Sequence, residues 1–393
     1  MKHYFLFILL SAAIATGGCT EELQPQTCGT NGTVPDESEL TEAVLNLSVN
    51  AFVVEAQAET RASIPSGTPE KETPEEKEIH NIWVFQYDAA TKELLIKPRY
   101  YTITDQAMLQ DLPVYLKAGV PSVVYVVTNT GYDNWANDGT DASWQKFKQL
   151  EQLKKQTLPT AFPLRSIDKV SIPMAGASEE VEVTTGITVT VPVTRMYAKL
   201  KVKVEMRKAE MELNNVNVRQ IPNICRVETL AGDGKGEPME PVPFPDETTF
   251  SSIAFAASDL EKNEDKEWAV FYVPENLQGE TQTQGGNKSD AAPSNALVVD
   301  ITTEIGGERY LYAAYPGGNS LNNFNIQRNQ VYRITVTITG EKNQNNPSAN
   351  CFVVKPDGFL SFEPYYRVET GGGYNFADYL SPHDENLKIA RVG

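Results

Sequence analysis

The strongest hydrophobic pattern in this chain is a regular alternation that follows Met196. Apolar residues occupy positions 198, 200, 202, 204 and 206, whereas charged residues occupy positions 199, 201, 203 and 205. A period of two directs alternate side chains to opposite faces of a strand, one toward a core and one toward water. The pattern therefore predicts a half-buried strand over residues 196–206, with its charged side chains in solvent.

Shorter apolar runs, bounded by turn residues, predict the other strands. The first of them covers residues 44–54 and has alternating apolar positions from Leu45 through Val49. The remaining predicted strands cover residues 82–88, 94–104, 123–129, 170–174, 181–191, 268–273, 296–302, 309–315, 331–338 and 351–354. Helix formers with apolar residues at helical spacing predict one short helix over residues 144–155.

Strands dominate the pattern, and helices do not alternate with them as they do in parallel βαβ folds. The sequence thus predicts an all-β fold of two tandem antiparallel β-sandwich domains with few short helices. We place these domains at residues 39–190 and 191–345, after a polar tether over 19–38 and before a C-terminal extension over 346–393. Within the first domain, residues 59–79 combine three prolines, a glycine and dense charge. They predict an exposed, mobile linker.

The first residues, 1–18, have the pattern of a secretory signal peptide. A charged start precedes an apolar run over residues 4–10, which is too short to span a bilayer. Small residues then lead into Gly17-Gly18-Cys19, the arrangement that a lipoprotein signal peptidase needs. Thr16 departs from the aliphatic residue that is usual three positions before such a cysteine. We interpret Cys19 as the lipid attachment point, and an ordinary signal peptide with an incidental cysteine is the alternative.

Composition argues against several classes of function. The formal net charge of −18 is unfavourable for binding nucleic acid or anionic membrane patches. After Cys19, three widely spaced cysteines remain, which match neither a disulfide framework nor a zinc pattern. Only His80 and His383 remain beyond the signal peptide, so no histidine-based catalytic arrangement is apparent. No carboxylate pair stands out as that of a glycosidase. We therefore expect no enzyme activity, no cofactor and no metal site.

Five motifs occur in order along the predicted strands. They are Ile82-Trp83-Val84-Phe85-Gln86-Tyr87, Ile172-Pro173-Met174-Ala175-Gly176, Thr194-Arg195-Met196-Tyr197-Ala198-Lys199-Leu200, Tyr272-Val273-Pro274-Glu275-Asn276 and Phe324-Asn325-Ile326-Gln327-Arg328-Asn329-Gln330-Val331-Tyr332. Together with the lipoprotein-like start, they resemble the fimbrillin family, the subunits of type V pili. The resemblance covers most of the chain from residue 40 to about residue 355. Residues 348–354 and the Gly-rich stretch behind them resemble the larger, accessory members of that family.

The resemblance implies two transthyretin-like sandwich domains, export as a lipoprotein, and trimming by an arginine-specific protease in the loop after the first strand. Loss of that strand opens a groove that a strand from a neighbouring subunit fills, which is donor-strand exchange. Arg61 is the only arginine between residue 1 and Arg99, so the resemblance implies cleavage between Arg61 and Ala62. Anchor-type subunits keep their first strand, and Arg61 would then be an ordinary linker residue.

We therefore predict a non-enzymatic structural subunit, of the minor or tip type, of a bacterial surface fimbria that supports adhesion. The expected partners are other fimbrial subunits, the outer membrane through the lipid, and a host protein or glycan. The alternative is a surface lipoprotein that binds glycans through exposed aromatics, for which Tyr365, Tyr366 and Tyr374 are the candidates. Residues 387–393 begin a strand-like alternation, either as a short donor strand or as part of a longer accessory protein.

Overall fold

The structure is a computed structural model. It describes residues 40–54, 72–131, 135–136, 143–160, 164–166, 168, 171–206, 209–228, 240–260, 262, 267–281, 292–318, 322–338, 350–357, 366–370 and 388–391. The predicted signal peptide and tether lie outside these ranges. Strands dominate the described residues and only two short α-helices occur among them, so the predicted all-β fold class is confirmed.

The strands are numbered in chain order. They are β1 Leu40–Val49, β2 Val53–Val54, β3 Asn81–Asp88, β4 Arg99–Thr102, β5 Leu112–Lys117, β6 Pro121–Thr128, β7 Thr157–Pro159, β8 Met174–Ala177, β9 Val181–Glu182, β10 Thr188–Arg195, β11 Tyr197–Met206, β12 Glu212–Pro222, β13 Ile224–Arg226, β14 Phe250–Ala256, β15 Ala269–Pro274, β16 Asn276–Glu280, β17 Val298–Ile305, β18 Glu308–Ala314, β19 Asn323–Ile326, β20 Gln330–Ile338, β21 Asn350–Asp357, β22 Tyr366–Thr370 and β23 Lys388–Arg391. The α-helices are α1 Leu150–Lys154 and α2 Ala257–Leu260, and 3-10 helices cover Pro74–Lys77, Gln106–Gln110 and Ser143–Phe147.

The strands between residues 40 and 195 form an eight-stranded sheet, apart from β2 and β7. Its order is β4-β3-β6-β8-β10-β1-β5, with β9 beside β6. Strands from both ends of this order contribute to one apolar core, whose members include Ala43, Leu45, Leu47, Ile82, Val84, Leu112, Val114, Leu116, Val124, Val126, Val189, Val191 and Val193. Because side chains from distant strands meet in one core, the sheet curls over itself as a sandwich.

Strand β3 is buried on both faces, which explains its nearly continuous apolar sequence. Ile82 and Val84 face the core within the first sheet. Trp83, Phe85 and Tyr87 point the other way, into a second core that also contains residues of β11, β12, β15, β17 and β20. The first sheet is therefore packed against the later strands through a shared apolar core.

Gly176 lies in β8 close to the backbone of Pro192 in β10. Its strand, β8, pairs with β6 and, through fewer residues, with β10. A Cβ atom on Gly176 would lie 1.8 Å from the backbone oxygen of Pro192. No side chain fits this approach of two backbones, and this explains the glycine of the second motif.

The later strands form two further sheets. One has the order β15-β11-β20-β21-β22-β23, with β2 also beside β20, and the other has the order β14-β12-β17-β18. Two small pairs, β13 with β7 and β16 with β19, complete the described strands. The chain passes from the first sheet to the second at Met196, since β10 ends at Arg195 and β11 begins at Tyr197. Strand β10 therefore continues across the predicted domain limit at residue 190. The domain limits of 39–190 and 191–345 stay a prediction.

Strand pairing is mainly rather than purely antiparallel. Among the described strands, β1 is parallel to β10, β11 is parallel to β20, and β2 is parallel to β20. Each of these pairs joins segments that lie far apart in the sequence, so that the connection is long enough to bring two strands side by side in one direction. Local patterning does not report such pairings.

The helix predicted over residues 144–155 is divided into a 3-10 helix and α1. The backbone N–H of Leu94 donates to the oxygen of Lys148 at 2.9 Å, and the N–H of Leu150 donates to the oxygen of Lys92 at 3.0 Å. These bonds hold the chain between the two helical turns in an extended form, so a single helix cannot continue through it.

Other element boundaries also differ from the sequence pattern. The strand predicted at 170–174 is displaced to β8, and the one predicted at 94–104 is reduced to β4. The run at 181–191 is divided into β9 and β10 by a turn at Gly186, whose φ is 74°. The pattern does not predict β5, β12 or β14, in which proline, asparagine or serine interrupts the apolar alternation.

We expect Gly176→Ala to lower the free energy of unfolding by about 1–3 kcal/mol, because the added methyl group must push β8 away from β10. Chemical denaturation of the purified variant measures the loss. Ala177→Ser, on the same strand but partly exposed, is the control and should stay within about 0.5 kcal/mol of the unsubstituted protein. Equal stability of Gly176→Ala and the unsubstituted protein would contradict the close approach.

Candidate functional site

Strand β1 is an interior strand of the first sheet. It pairs in parallel with β10 over residues 44–49 and antiparallel with β5 over residues 40–45. Ala43, Leu45 and Leu47 are at most 3% exposed and belong to the core of the first sheet. Without β1, the facing edges of β10 and β5 would be unpaired, and an apolar groove would lie between them.

The segment after β1 leaves the first sheet and reaches the later strands. Asn50 and Ala51 are exposed, whereas Phe52 is completely buried. Strand β2 then lies parallel to the start of β20. Residues 40–54 thus form one continuous run that pairs with strands of the first sheet and with β20 of the sheet that follows Met196.

The guanidinium of Arg195 is completely buried where these segments meet. Its Nη1 donates to the backbone oxygen of Asn50 at 2.7 Å and to Asn329 Oδ1 at 3.1 Å. Its Nε donates to the backbone oxygen of Glu76 at 2.8 Å, and Nη2 lies 2.9 Å from Glu72 Oε1 as an ion pair. Arg195 therefore binds both the segment that ends at residue 54 and the segment that begins at residue 72.

Two buried carboxylates complete the cluster. Glu72 Oε1 accepts from the backbone N–H of Phe52 at 2.8 Å. Glu76 Oε1 lies 2.8 Å from Lys199 Nζ and accepts from the Tyr272 hydroxyl at 2.6 Å. The side chains of Glu72 and Glu76 are only 5% and 2% exposed, so each negative charge is removed from water together with a positive one.

The ring of Phe52 packs against two cations. The central carbon of the Arg195 guanidinium lies 4.1 Å from the ring centroid, and Lys199 Nζ lies 5.8 Å from it. Cations are attracted to the negative face of an aromatic ring. We call this cluster the Arg195 junction, and its members are Phe52, Glu72, Glu76, Arg195, Lys199, Tyr272 and Asn329.

Burial and ion pairing act against each other on the charges of the junction. Burial lowers the pKa of the Arg195 guanidinium, and the carboxylates of Glu72 and Glu76 oppose this change. Burial also raises the pKa of Glu72, but the hydrogen bonds from Lys77 and a backbone N–H, with the charge of Arg195, more than offset it. The net pKa of Glu72 therefore lies below its usual value of 4.5. Burial raises the pKa of Tyr272, so its hydroxyl remains a donor.

A second buried ion pair supports the turn that carries Asn329. Arg328 binds both carboxylate oxygens of Glu275, at 3.0 Å through Nε and at 2.9 Å through Nη2. Its Nη1 and Nη2 also donate to the backbone oxygens of Val227 and Arg226. Asn329 itself adopts a left-handed backbone with φ of 57°, and its Nδ2 donates to the backbone oxygen of Ala51 at 2.7 Å. The geometry of this turn thus depends on charged residues from two of the quoted motifs.

The sequence pattern contains a signal for the burial of Arg195. The inward positions of β10 are Val189, Val191, Val193 and then Arg195. An arginine that continues a buried alternation indicates a charge inside the protein, and such a charge needs buried partners. No sequence signal of this kind identifies which partners those are.

Two predictions made from the sequence are wrong at this junction. Lys199 does not face solvent with the other charged residues of β11, since it is 5% exposed and paired with Glu76. The end of the predicted exposed linker is also partly buried, because the side chains of Glu72, Glu76 and Ile79 are packed into the fold while other residues of this stretch stay exposed. Both corrections have one physical reason: opposite charges from distant segments neutralise each other away from water.

The predicted processing and glycan-binding residues lie outside the described residues. These are Cys19, Arg61, Ala62, Tyr365 and Tyr374. Of the remaining candidate, Tyr366 in β22, the structure describes the backbone alone. Lipid attachment, cleavage and glycan binding therefore stay predictions. The two described segments that flank Arg61 both contact Arg195, one through Asn50 and the other through Glu72.

Other chemistry is limited in the part of the chain that the structure describes. No group of three or more His, Cys, Asp or Glu side chains there is placed to hold a metal ion. No helix among the same residues is long and apolar enough to cross a membrane. Cys225 is buried as a free thiol, and burial raises its pKa to about 12, which makes it a poor nucleophile at neutral pH.

Comparisons with known proteins give one family match and several similar structures. A family model described as a domain of unknown function, DUF4906, matches residues 271–336. No curated protein matches the chain. The tip fimbrial protein Mfa3 of Porphyromonas gingivalis with a C-terminal truncation is 14% identical, with a TM-score of 0.46 over 81% of this chain and 98% of that one.

Two further structures are similar at a comparable level. A candidate cell adhesion protein of Bacteroides eggerthii is 15% identical, with a TM-score of 0.45 over 92% of this chain and 97% of that one. The fimbrial anchor protein Mfa2 of Porphyromonas gingivalis is 12% identical, with a TM-score of 0.38 over 83% of this chain and 100% of that one. Fimbrial proteins are thus among the structures to which this chain is similar.

We expect Arg195→Met to lower the free energy of unfolding by about 3–5 kcal/mol, because three buried oxygen acceptors lose their donor and Glu72 keeps only Lys77 as a counter-charge. Urea denaturation measures the loss. Arg309→Met is the matched control, since Arg309 is 73% exposed and pairs with Glu304 at the surface. The control should cost less than about 1 kcal/mol. Similar losses for the two variants would show that Arg195 has no special role.

We also expect the contribution of Glu72 to depend on pH. Its pKa in the folded protein lies below 4.5, so the contribution is complete above that pH and is lost as the pH falls through the folded value. Glu72→Gln should therefore be less stable than the unsubstituted protein at pH 7, with a difference that narrows toward pH 3. Urea denaturation across this pH range measures it, with the exposed Glu182→Gln as the baseline. A difference that does not change with pH would contradict the ion pair.

Proposed function

We propose that this protein is a non-enzymatic structural subunit of a bacterial surface fimbria, belonging to the fimbrillin family. In this proposal it is exported as a lipoprotein on Cys19 and cut between Arg61 and Ala62. It then assembles with other subunits by donor-strand exchange in place of β1. The two sandwich domains are residues 39–190 and 191–345, with an extension over 346–393.

The observation that carries the proposal is the position of β1. It is paired on both sides and supplies Ala43, Leu45 and Leu47 to the core. The chain between β2 and the segment at residue 72 contains Arg61. Cleavage there would separate β1 and β2 from β3 and all later strands by breaking one peptide bond.

A strand from another subunit could replace β1 for simple chemical reasons. Strand pairing uses backbone N–H and C=O groups, which every residue except proline offers. Specificity then comes from alternate side chains, because Ala43, Leu45 and Leu47 face the core while Glu42 and Ser48 are exposed. A donor strand needs small or aliphatic residues at three alternate positions.

The lipid has a transient role in this proposal. Acylation of Cys19 would attach the protein to the outer membrane through the lipid. The apolar run of the signal peptide is too short to act as a permanent anchor. Cleavage after Arg61 would release the lipid and β1 together. If the subunit is instead of the anchor type, Arg61 is not cut and both remain attached.

Within a fimbria we assign this subunit to a minor or tip position that supports adhesion. The support for this position is the resemblance of residues 348–354 to accessory family members. Its partners are then other subunits, the outer membrane before cleavage, and a host protein or glycan as the adhesion ligand. The alternative glycan-binding function has no observation among the described residues in its favour.

We expect the mature surface protein to begin at Ala62 and to lack the lipid. N-terminal sequencing of protein from assembled fibres, combined with metabolic palmitate labelling, tests both points. Arg61→Ala should keep the palmitate label, retain β1 and stop polymerisation, because the groove stays filled. Arg99→Ala, which changes the next arginine in the chain, is the control and should leave processing unchanged. Fibres that contain the labelled, untrimmed chain would overturn the proposed exchange.

A further inference from the structure

We infer that the Arg195 junction is a recognition site for one aromatic side chain on the strand that replaces β1. This inference rests on the proposed function, because it concerns the occupant of the same groove. The occupant is a strand of another subunit that carries alternating apolar residues and then an aromatic residue. The aromatic position is the one that Phe52 fills in the uncleaved chain.

Removal of the residues before Ala62 takes several hydrogen-bond partners away from the junction. Arg195 Nη1 loses the backbone oxygen of Asn50, and Asn329 Nδ2 loses the backbone oxygen of Ala51. Glu72 loses the backbone N–H of Phe52. Glu76, Lys199 and Tyr272 remain, because they all follow the cleavage point.

The groups that lose these partners, on Arg195, Asn329 and Glu72, require new ones. Two buried donors need carbonyl oxygens from consecutive residues, and one buried carboxylate needs the N–H of the next residue. Any strand backbone offers these groups, so they favour a strand without selecting its sequence. Leaving them unpaired is costly, and so the junction must be filled along with the groove.

The space that Phe52 fills lies beside two cations, which restricts the side chain that can replace it. The face of the ring lies 4.1 Å from the Arg195 guanidinium and 5.8 Å from Lys199 Nζ. A lysine or arginine there would be repelled by both cations. A carboxylate would bring a further buried charge into a site where Glu72 and Glu76 already pair with the buried Arg195 and Lys199, and Glu72 also with the exposed Lys77. An aromatic ring fills the volume and presents a negative face without a net charge.

The spacing defines the recognition more closely. Phe52 packs in the second core rather than in the core that holds Leu47, and two consecutive exposed residues precede it, so the period of two is interrupted before Phe52. The exposed residues Asn50 and Ala51 redirect the chain, and Arg195 and Asn329 hold their carbonyl oxygens in this bend. An incoming strand must therefore bend at the same place to put its aromatic residue into the junction.

The test uses the full chain with a site for a sequence-specific protease in place of residues 60–63. After cutting, the exchange of the bound N-terminal fragment for a fluorescent peptide that copies residues 40–54 is measured by anisotropy. We expect the Phe52→Ala peptide to bind about 100-fold or more weakly than the unsubstituted peptide, as expected for truncating a fully buried aromatic residue. The Phe52→Tyr peptide should bind within about tenfold of it, and the Phe52→Lys peptide should not bind measurably.

The substitutions are in the peptide, so the folding of the protein is the same in every measurement. The Ser48→Ala peptide changes an exposed position and is the control for specific effects. The Leu45→Asp peptide should fail to bind, because it places a charge in the groove core. If the Phe52→Ala peptide binds as well as the unsubstituted one while Leu45→Asp fails, the aromatic recognition is overturned and the proposed exchange stands. If the unsubstituted peptide does not exchange at all, both are overturned.

Discussion

The buried guanidinium of Arg195 joins the separate parts of this protein. It binds the segment after β1, the segment before β3 and the turn before β20 at the same time. Moving an arginine out of water is costly, and the cost is offset only while Glu72 and the bound carbonyl oxygens are in place. The junction therefore depends on three distant segments being present together, and the loss of one leaves a buried charge or donor unpaired.

Strand β1 imposes the second constraint, because it is interior to a sheet although it is the first strand described. The core of the first sheet needs apolar side chains at the positions of Ala43, Leu45 and Leu47. Backbone pairing needs a strand there but not a particular sequence. The same features that make β1 indispensable to the fold thus allow another strand of suitable shape to take its place. The groove and the junction are continuous, since residues 40–54 fill both.

Much of the fold follows from local patterns that report half-buried or fully buried strands. The alternation after Met196 predicts β11 with bounds that differ by one residue, and the apolar runs predict β3, β15 and β20 closely. Elements with asparagine-rich or proline-containing sequences, such as β5 and β12, are not predicted, because neighbouring strands rather than local propensity hold them extended. The helix predicted near residue 150 is divided for the same reason, since its backbone pairs with residues 92–94.

The sequence by itself determines the all-β class and most strand positions, and it predicts an export signal with Cys19, since each depends on side chains that are close along the chain. It also places Arg61 in a polar segment between β1 and β3. Only the tertiary structure decides that β1 lies between β10 and β5, and that Arg195 and Lys199 are buried. Those features arise from pairings between residues that are more than sixty positions apart. A period of two along one strand cannot report which distant strand or carboxylate lies opposite it.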